Sequence, residues 1–305
     1  MQVILGSGGA IGTDLAKELK NYTEKVRLVS RNPQKVNEDD ELLAGDLLKD
    51  EFVNKAIQGT DVAYLTVGLP YRVKVWEIHW PIVMNNVIKG CKKHKTKLVF
   101  FDNMYLYDKT QLSPMTEETQ INPPSKKGAV RAQIAKQVMD ENGAGNIDAL
   151  IARAADFYGP EIANSLLYEA VVKNLKNGKK ANWFSSIDHL HNFTYTPDAA
   201  KATALLGNSE NAYGQVWHLP TCPPMTMKKW INAFAKETGT DPKTMVVPKF
   251  MIALMGFINP IMKEMSEMLY QYDRNYDFDS SKFETVFKMK PTPVEEAIKQ
   301  VVQHN

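Results

Sequence analysis

The stretch Gln2-Val3-Ile4-Leu5-Gly6-Ser7-Gly8-Gly9-Ala10-Ile11-Gly12 decides the fold. It opens on a continuous apolar run, passes Gly6, Gly9 and Gly12 at three-residue spacing, and enters the helical pattern Ile11–Tyr22. An apolar run without alternation suits a strand covered on both faces. Glycines between strand and helix allow a tight turn and close backbone approach, and the helix start offers free N–H groups to an anion. The stretch therefore predicts a dinucleotide-binding turn, with Gly6, Ser7, Gly9, Ala10, Ile11 and Gly12 against the pyrophosphate. Glycines alone would equally make an empty tight turn; their place at a first strand–helix junction favours the ligand.

Working outward, further β-rich runs at Lys25–Ser30, Glu41–Asp46, Val62–Gly68, Lys97–Asn103 and Asp148–Arg153 alternate with helical patterns at Val73–His94 and Lys126–Glu141. Strands separated by helices imply right-handed crossovers and a parallel sheet. The expected fold is α/β, a Rossmann-type doubly wound parallel sheet with a smaller, mostly helical C-terminal substrate lobe. Residues 1–160 are read as the dinucleotide-binding domain, and 161–305 as the interleaved last sheet elements and the lobe. Prolines and methionines crowd the later part. The apolar stretch Phe250–Met262 is broken by Gly256, Asn259 and Pro260. It is shorter than the roughly 20 residues of a spanning helix and is read as a buried or interface helix. Met251, Met255, Met262, Met265 and Met268 are expected in a malleable core or pocket wall.

Three more strand ends fit the same ligand. The second strand closes on Ser30-Arg31, without the acid that would bind an NAD ribose; Arg31 can pair with a 2′-phosphate and Ser30 can add a hydrogen bond. NADP is expected over NAD. Asp46, followed by Leu47, can accept from the adenine amino group. Thr66-Val67-Gly68 leaves room for the dinucleotide to cross the sheet edge.

Composition bounds the partners. The 305 residues carry 37 Lys+Arg against 35 Asp+Glu, which argues against a dominant nucleic-acid role. Two cysteines, Cys91 and Cys222, cannot build a disulfide framework, and a reducing, cytoplasmic location is expected. No signal peptide or membrane segment is read. The expected partner is a small-molecule substrate, with neither nucleic acid nor membrane, and a homodimer is left open.

GxxGxxG, the Gly45-Asp46 pair, Ala154-Ala155-Asp156-Phe157-Tyr158-Gly159-Pro160 after a strand, and the segments His191–Ala202 and Asp279–Ile298 together resemble the extended short-chain dehydrogenase/reductase superfamily, often labelled NAD-dependent epimerase/dehydratase. The resemblance covers nearly the whole chain. It implies cofactor contacts at Asp156 and Phe157 and a catalytic Tyr-x-x-x-Lys on the helix after the fifth strand. There the chain departs: Lys127 stands at the tyrosine position and Arg131 at the lysine position, and Asp102-Asn103 replace the family's serine. Phe100–Asp108 and Lys127–Arg131 point to an atypical branch.

Arg131 cannot act as a base at neutral pH. Lys127, one turn from it, is the first candidate for the proton role or for a bond to the nicotinamide ribose. Some atypical relatives, the plant-type benzylic ether and isoflavone reductases, are thought to use a lysine so. Tyr105 and Asn103 are the other catalytic candidates, and Tyr107 is expected to pack. His79 reads as structural. Asp188-His189-Leu190-His191 lacks ligands at metal spacing, so no metal is expected. Cys222 has no identifiable base partner. The reading put first is an NADP(H)-dependent oxidoreductase acting on a small organic substrate. The alternatives are a non-catalytic redox sensor and a sugar-nucleotide epimerase or dehydratase.

Overall fold

Gln2–Leu5 forms β1, buried along its whole length, within a seven-stranded sheet of the computed structural model, which describes residues 1–162 and 165–304. The chain divides into two units. The first comprises Met1–Asn103, Ala129–Arg153 and Ala199–Leu219 and holds the sheet. Its strands are β1, β2 (Val26–Ser30), β3 (Glu41–Ala44), β4 (Val62–Leu65), β5 (Lys97–Asn103), β6 (Ala149–Ala154) and a last strand Val216–His218. The order across the sheet is Val216–His218, β6, β5, β4, β1, β2, β3, with parallel neighbours. Ile4 of β1 lies level with Leu28 on one side and Tyr64 on the other. The chain leaves β1 toward β2 and β3, then returns to build β4, β5 and β6 on the opposite side. The carboxyl ends of β1 and β4 thus flank the switch point, where ligands of such sheets bind.

The apolar runs explain the layers. β1, β4 and β6 are buried at every residue, as a sheet with helices on both faces requires. Edge strand β3 is mostly exposed. Helix α1 (Gly12–Leu19) buries Gly12, Leu15, Ala16 and Leu19, and α2 (Asp50–Ile57) buries Val53, Ala56 and Ile57; this is the single-face spacing of an amphipathic helix. Helix α3 (Val73–His94) buries Trp76, Trp80, Val83 and Val87, and α4 spans Lys126–Gly143. Each expected strand and helix is present, with ends shifted by a few residues; the fourth strand stops at Leu65, short of Gly68.

β5, β6 and α4 share a buried ionic knot. Asp102 Oδ1 accepts from Arg131 Nε (2.7 Å) and pairs with its Nη2 (2.6 Å), while Asp102 Oδ2 accepts from Arg153 Nε (3.1 Å) and Nη2 (2.9 Å). Arg131 Nη2 also donates to Phe101 O, and its guanidinium lies 4.6 Å from the ring centres of Trp80 and Phe100. All three charged side chains are almost wholly buried.

The second unit comprises Met104–Gly128, Ala154–Asp198 and Pro220–Asn305. It takes in the segment after β5 as well as the late chain. Its core gathers Leu167, Val171, Trp183, Phe193, Trp230 and Phe234. Short strand pairs frame it: Phe157–Tyr158 with Thr194–Tyr195, Leu190–His191 with Met225–Thr226, and Ala181–Phe184 with Thr244–Val247.

One expectation here is corrected. Phe250–Met262 is not one buried helix. It forms parts of two short helices, Lys249–Met255 and Pro260–Ser266, with Phe257 and Ile258 between them 88% and 90% exposed. The physical cause is Asn259, whose side chain accepts from the N–H groups of Ile261 and Met262, followed by Pro260 at the first turn. Met251 and Met255 are exposed, while Met262, Met265 and Met268 meet the interior as expected. Among the described residues, no helix is long and apolar enough to cross a membrane.

The ionic knot gives a first test. Asp102→Ala leaves two buried guanidinium groups without their shared carboxylate, and should cost about 3–5 kcal/mol of folding stability. Urea unfolding checks this; a loss below about 1 kcal/mol would contradict the knot's structural role.

Candidate cofactor and active site

The glycine turn is built by β1 and held by its neighbours. Gly6 and Ser7 both donate their N–H groups to Val29 O of β2, at 2.8 and 3.0 Å. Gly6 has φ +112°, and a Cβ there would lie 2.3 Å from Val67 Cα. Only glycine therefore lets the ends of β1 and β4 approach so closely. A Cβ on Gly12 would come within 3.0 Å of Gly6 O, so the start of α1 rests directly on the turn. Around Gly9 the space is open, with the nearest atom 3.8 Å from a would-be Cβ.

Two features of the turn await an anion. Ile11, ahead of α1, supplies no side-chain cap, so the first N–H groups of the helix lack a side-chain acceptor from it. Ser7 Oγ is buried without a hydrogen-bond partner among the described residues. Such an orphaned hydroxyl costs about 1–3 kcal/mol, a cost that a phosphate oxygen would relieve. The turn thus fits a dinucleotide pyrophosphate.

The neighbouring strand ends are tied to it. Gly45 N donates to Ser30 O (3.0 Å), and Thr66 Oγ1 donates to Gly6 O (3.3 Å). Asp46 Oδ1 accepts from Leu48 N (3.0 Å), which leaves Oδ2 for a ligand; Leu47 is buried and its carbonyl accepts from Asn86 Nδ2. Ala10 is half-buried, and Arg31 and Gly68 are exposed. Arg31 makes no ion pair with any described residue. The structure therefore brings together, within the first unit, Gly6–Gly12, Ser30, Arg31, Asp46, Leu47 and Thr66–Gly68.

The proton-handling candidates meet a different fate. Lys127 is wholly buried, and its Nζ donates to Glu264 Oε2 (2.5 Å), Glu264 O (3.1 Å) and Glu267 Oε1 (2.8 Å). An ammonium has three protons and no lone pair; held this way it is an ion-paired strut. Arg131, at the family's lysine position, is held by Asp102, which is therefore not available to orient substrate. Asn103 ends β5 half-buried, and Tyr105 is half-buried in the second unit. Tyr107 is fully buried, as expected of a packing residue. Burial pushes the thiols of Cys91 and Cys222 up to about 12, so both stay protonated at neutral pH.

Asp156 and His191 form a pair that the sequence reading missed. His191 Nε2 lies 3.2 Å from Asp156 Oδ2, and Tyr272 OH donates to the same oxygen at 3.3 Å. The imidazole stacks on Tyr276 (4.1 Å, 10°) and on Tyr272 (5.6 Å, 17°). Asp156 N donates to Tyr276 OH. Phe157, next in the chain, is half-buried. No group of three or more His, Cys, Asp or Glu among the described residues could hold a metal.

With this geometry in view, comparison with known proteins places the chain. The NAD dependent epimerase/dehydratase family matches residues 2–218, and the chain belongs to that family. No curated protein matches it in sequence. Among solved structures, a UDP-glucose 4-epimerase from Thermus thermophilus in complex with NAD is 16% identical with a TM-score of 0.81, covering 100% of this chain and 98% of its own. A UDP-glucuronic acid 4-epimerase from Bacillus cereus in complex with UDP-glucuronic acid and NAD is 16% identical with a TM-score of 0.83 and the same coverage. A dTDP-glucose 4,6-dehydratase double mutant from Streptomyces venezuelae with NAD bound is 14% identical with a TM-score of 0.80, covering 99% and 96%. At these identities the likeness is one of fold.

The turn geometry yields a test. Gly6→Ala should lower dinucleotide affinity at least tenfold, because its Cβ must displace backbone at Val67. Fluorescence titration with reduced dinucleotide measures this; affinity equal to the wild type would contradict the assigned cradle.

Proposed function

We propose that the chain holds a nicotinamide adenine dinucleotide on its glycine turn and uses it to transform a small hydroxylated substrate of sugar-nucleotide type, by a reaction of the epimerase or dehydratase class. The carrying observation is the Gly6–Gly12 turn, with its unpartnered Ser7 hydroxyl and uncapped helix start. When bound, the dinucleotide supplies a hydride acceptor and donor. The turn N–H groups and Ser7 bind pyrophosphate, Asp46 Oδ2 accepts from the adenine amino group, and Thr66–Gly68 leaves the sheet edge clear. Asn103, at the end of β5, would orient the substrate.

Family membership and the shared fold support this class of reaction over a simple NADP oxidoreductase. Incubation with UDP-glucose, UDP-glucuronic acid and dTDP-glucose tests it: the expected result is a stereoisomer or a dehydrated keto sugar. Dinucleotide binding without turnover of any of the three would favour a redox-sensing protein instead.

One observation favours the 2′-phosphorylated dinucleotide. Arg31 directly follows β2, exposed and without an ion pair among the described residues, and the sequence places no acid beside it to meet a ribose hydroxyl. A guanidinium in that position suits a phosphate dianion. Calorimetric titration with NADP and NAD should show Arg31→Asp losing NADP affinity at least tenfold more than NAD affinity. Equal losses would sink the phosphate assignment.

A further inference from the structure

The second unit carries an apolar face that stands in water. Between Lys249 and Lys263 the chain runs thirteen residues without a charge, Phe250 to Met262. The helices Lys249–Met255 and Pro260–Ser266 meet the core on one side: Ile252 is wholly buried, and Met262 and Met265 pack against the interior. On the other side Phe250 is 71% exposed, Leu254 64% and Ile261 63%, flanking the still more exposed Phe257 and Ile258. Backbone bonds from Gly256 N to Ile252 O and from Asn259 N to Met255 O carry the helical turn into the link, so Phe250, Leu254, Phe257 and Ile258 share one face. Glu264, with Glu267 just beyond the second helix, anchors the pair on Lys127.

Size and composition mark this face as a contact. With Met251 and Met255, each 44% exposed, these side chains leave about 900 Å² of apolar surface in water, at about 200 Å² for a whole large side chain. The largest patch on a typical monomer is about 300–600 Å², and one side of a standard protein interface covers about 800 Å². Interface cores are enriched in Met and Phe and depleted in Lys, Glu and Asp, as this face is.

We propose that the face joins two copies of the chain in an isologous dimer, Phe250–Ile261 of one packing on Phe250–Ile261 of the other about a two-fold axis. The proposal goes beyond the dinucleotide reading and does not rest on it. Three observations select a second copy. A face without charge meets its own image with no like charges opposed, and homodimer contacts are the more apolar class. Of the three lysines at the flanks, Lys249 pairs with Asp273 and Lys243 with Asp241; Lys263 alone adds little attraction to an anionic lipid surface. The strand Thr244–Val247 leads into the face and, among the described residues, pairs on one edge, with Ala181–Phe184. Its other edge, beside exposed Met245 and Val246, offers N–H and C=O groups that suit a polypeptide neighbour and are costly in hydrocarbon.

Sedimentation velocity of the full chain across about 1–100 μM should show a dimer. Phe257→Ser with Ile258→Ser strips two apolar side chains from each copy and should raise the dissociation constant about 100-fold or more. Far-UV circular dichroism should be unchanged, because both side chains stand in water. If that variant does not fold, Phe250→Glu, which places a charge in the contact, is measured in its place and should dissociate the dimer as fully. A comparison variant, Ile78→Ser with Ile82→Ser, changes exposed residues of α3 in the first unit and should dimerise as the wild type does. The proposal is overturned by a wild type that stays monomeric throughout, by a dimer that survives the changes on the Phe250–Ile261 face, or by a dimer lost only through Ile78 and Ile82. Flotation with phosphatidylserine–phosphatidylcholine vesicles covers the other occupant: a monomer that floats with them assigns the face to lipid and overturns the dimer.

Discussion

The carboxylate of Asp102, shared by Arg131 and Arg153, is the contact on which the carboxyl end of the sheet depends. It joins β5, β6 and α4 through four short contacts in a setting almost closed to water. Two guanidinium groups against one carboxylate are costly to desolvate, and the arrangement persists because every partner is hydrogen-bonded and Arg131 also lies over two aromatic rings. The consequence reaches chemistry. The helix position at which the family carries its catalytic lysine is here fastened to the sheet, so Arg131 serves the fold.

Lys127 completes the same change one helical turn earlier. Two glutamates and a carbonyl take all three of its protons. The helix that carries the proton relay in relatives is thereby rebuilt from ion pairs, while the glycine turn at the other end of the doubly wound pattern is kept intact. A chain that retains the dinucleotide cradle and loses the relay has either given up turnover or moved the proton to another group. The two thiols do not supply that group, since burial keeps them protonated.

Much of this was legible in the sequence, and the reason is locality. Strand, turn and helix of QVILGSGGAIG are contiguous, so periodicity and glycine spacing set them within a dozen residues. The strands that lead to Ser30, Asp46 and Thr66 followed from the same alternation. The ion pairs did not, because they join distant parts of the chain: Glu264 and Glu267 stand 137 and 140 residues from Lys127. A carboxylate pair three apart is the available signal, and such a pair is equally ordinary on a solvated helix face. Arg153 within the apolar Ala149–Ala154 was a clearer sign, since a charge in a buried strand demands a partner. Asp156 was expected at the cofactor, and His191 was weighed as a metal ligand and set aside, but nothing in spacing linked them. Phe250–Met262 misled because hydrophobicity alone does not distinguish a buried helix from two short helices parted by Asn259 and Pro260.

The central claim is that this family member keeps the dinucleotide turn while its former relay helix is held in ion pairs. A crystal structure of the dinucleotide complex tests it most directly. The account predicts pyrophosphate oxygens on the Gly6–Gly12 turn within hydrogen-bond reach of Ser7 Oγ, with Lys127 Nζ still on Glu264 and Glu267. A dinucleotide bound elsewhere, or Lys127 released from both glutamates and bonded to the nicotinamide ribose, would contradict it.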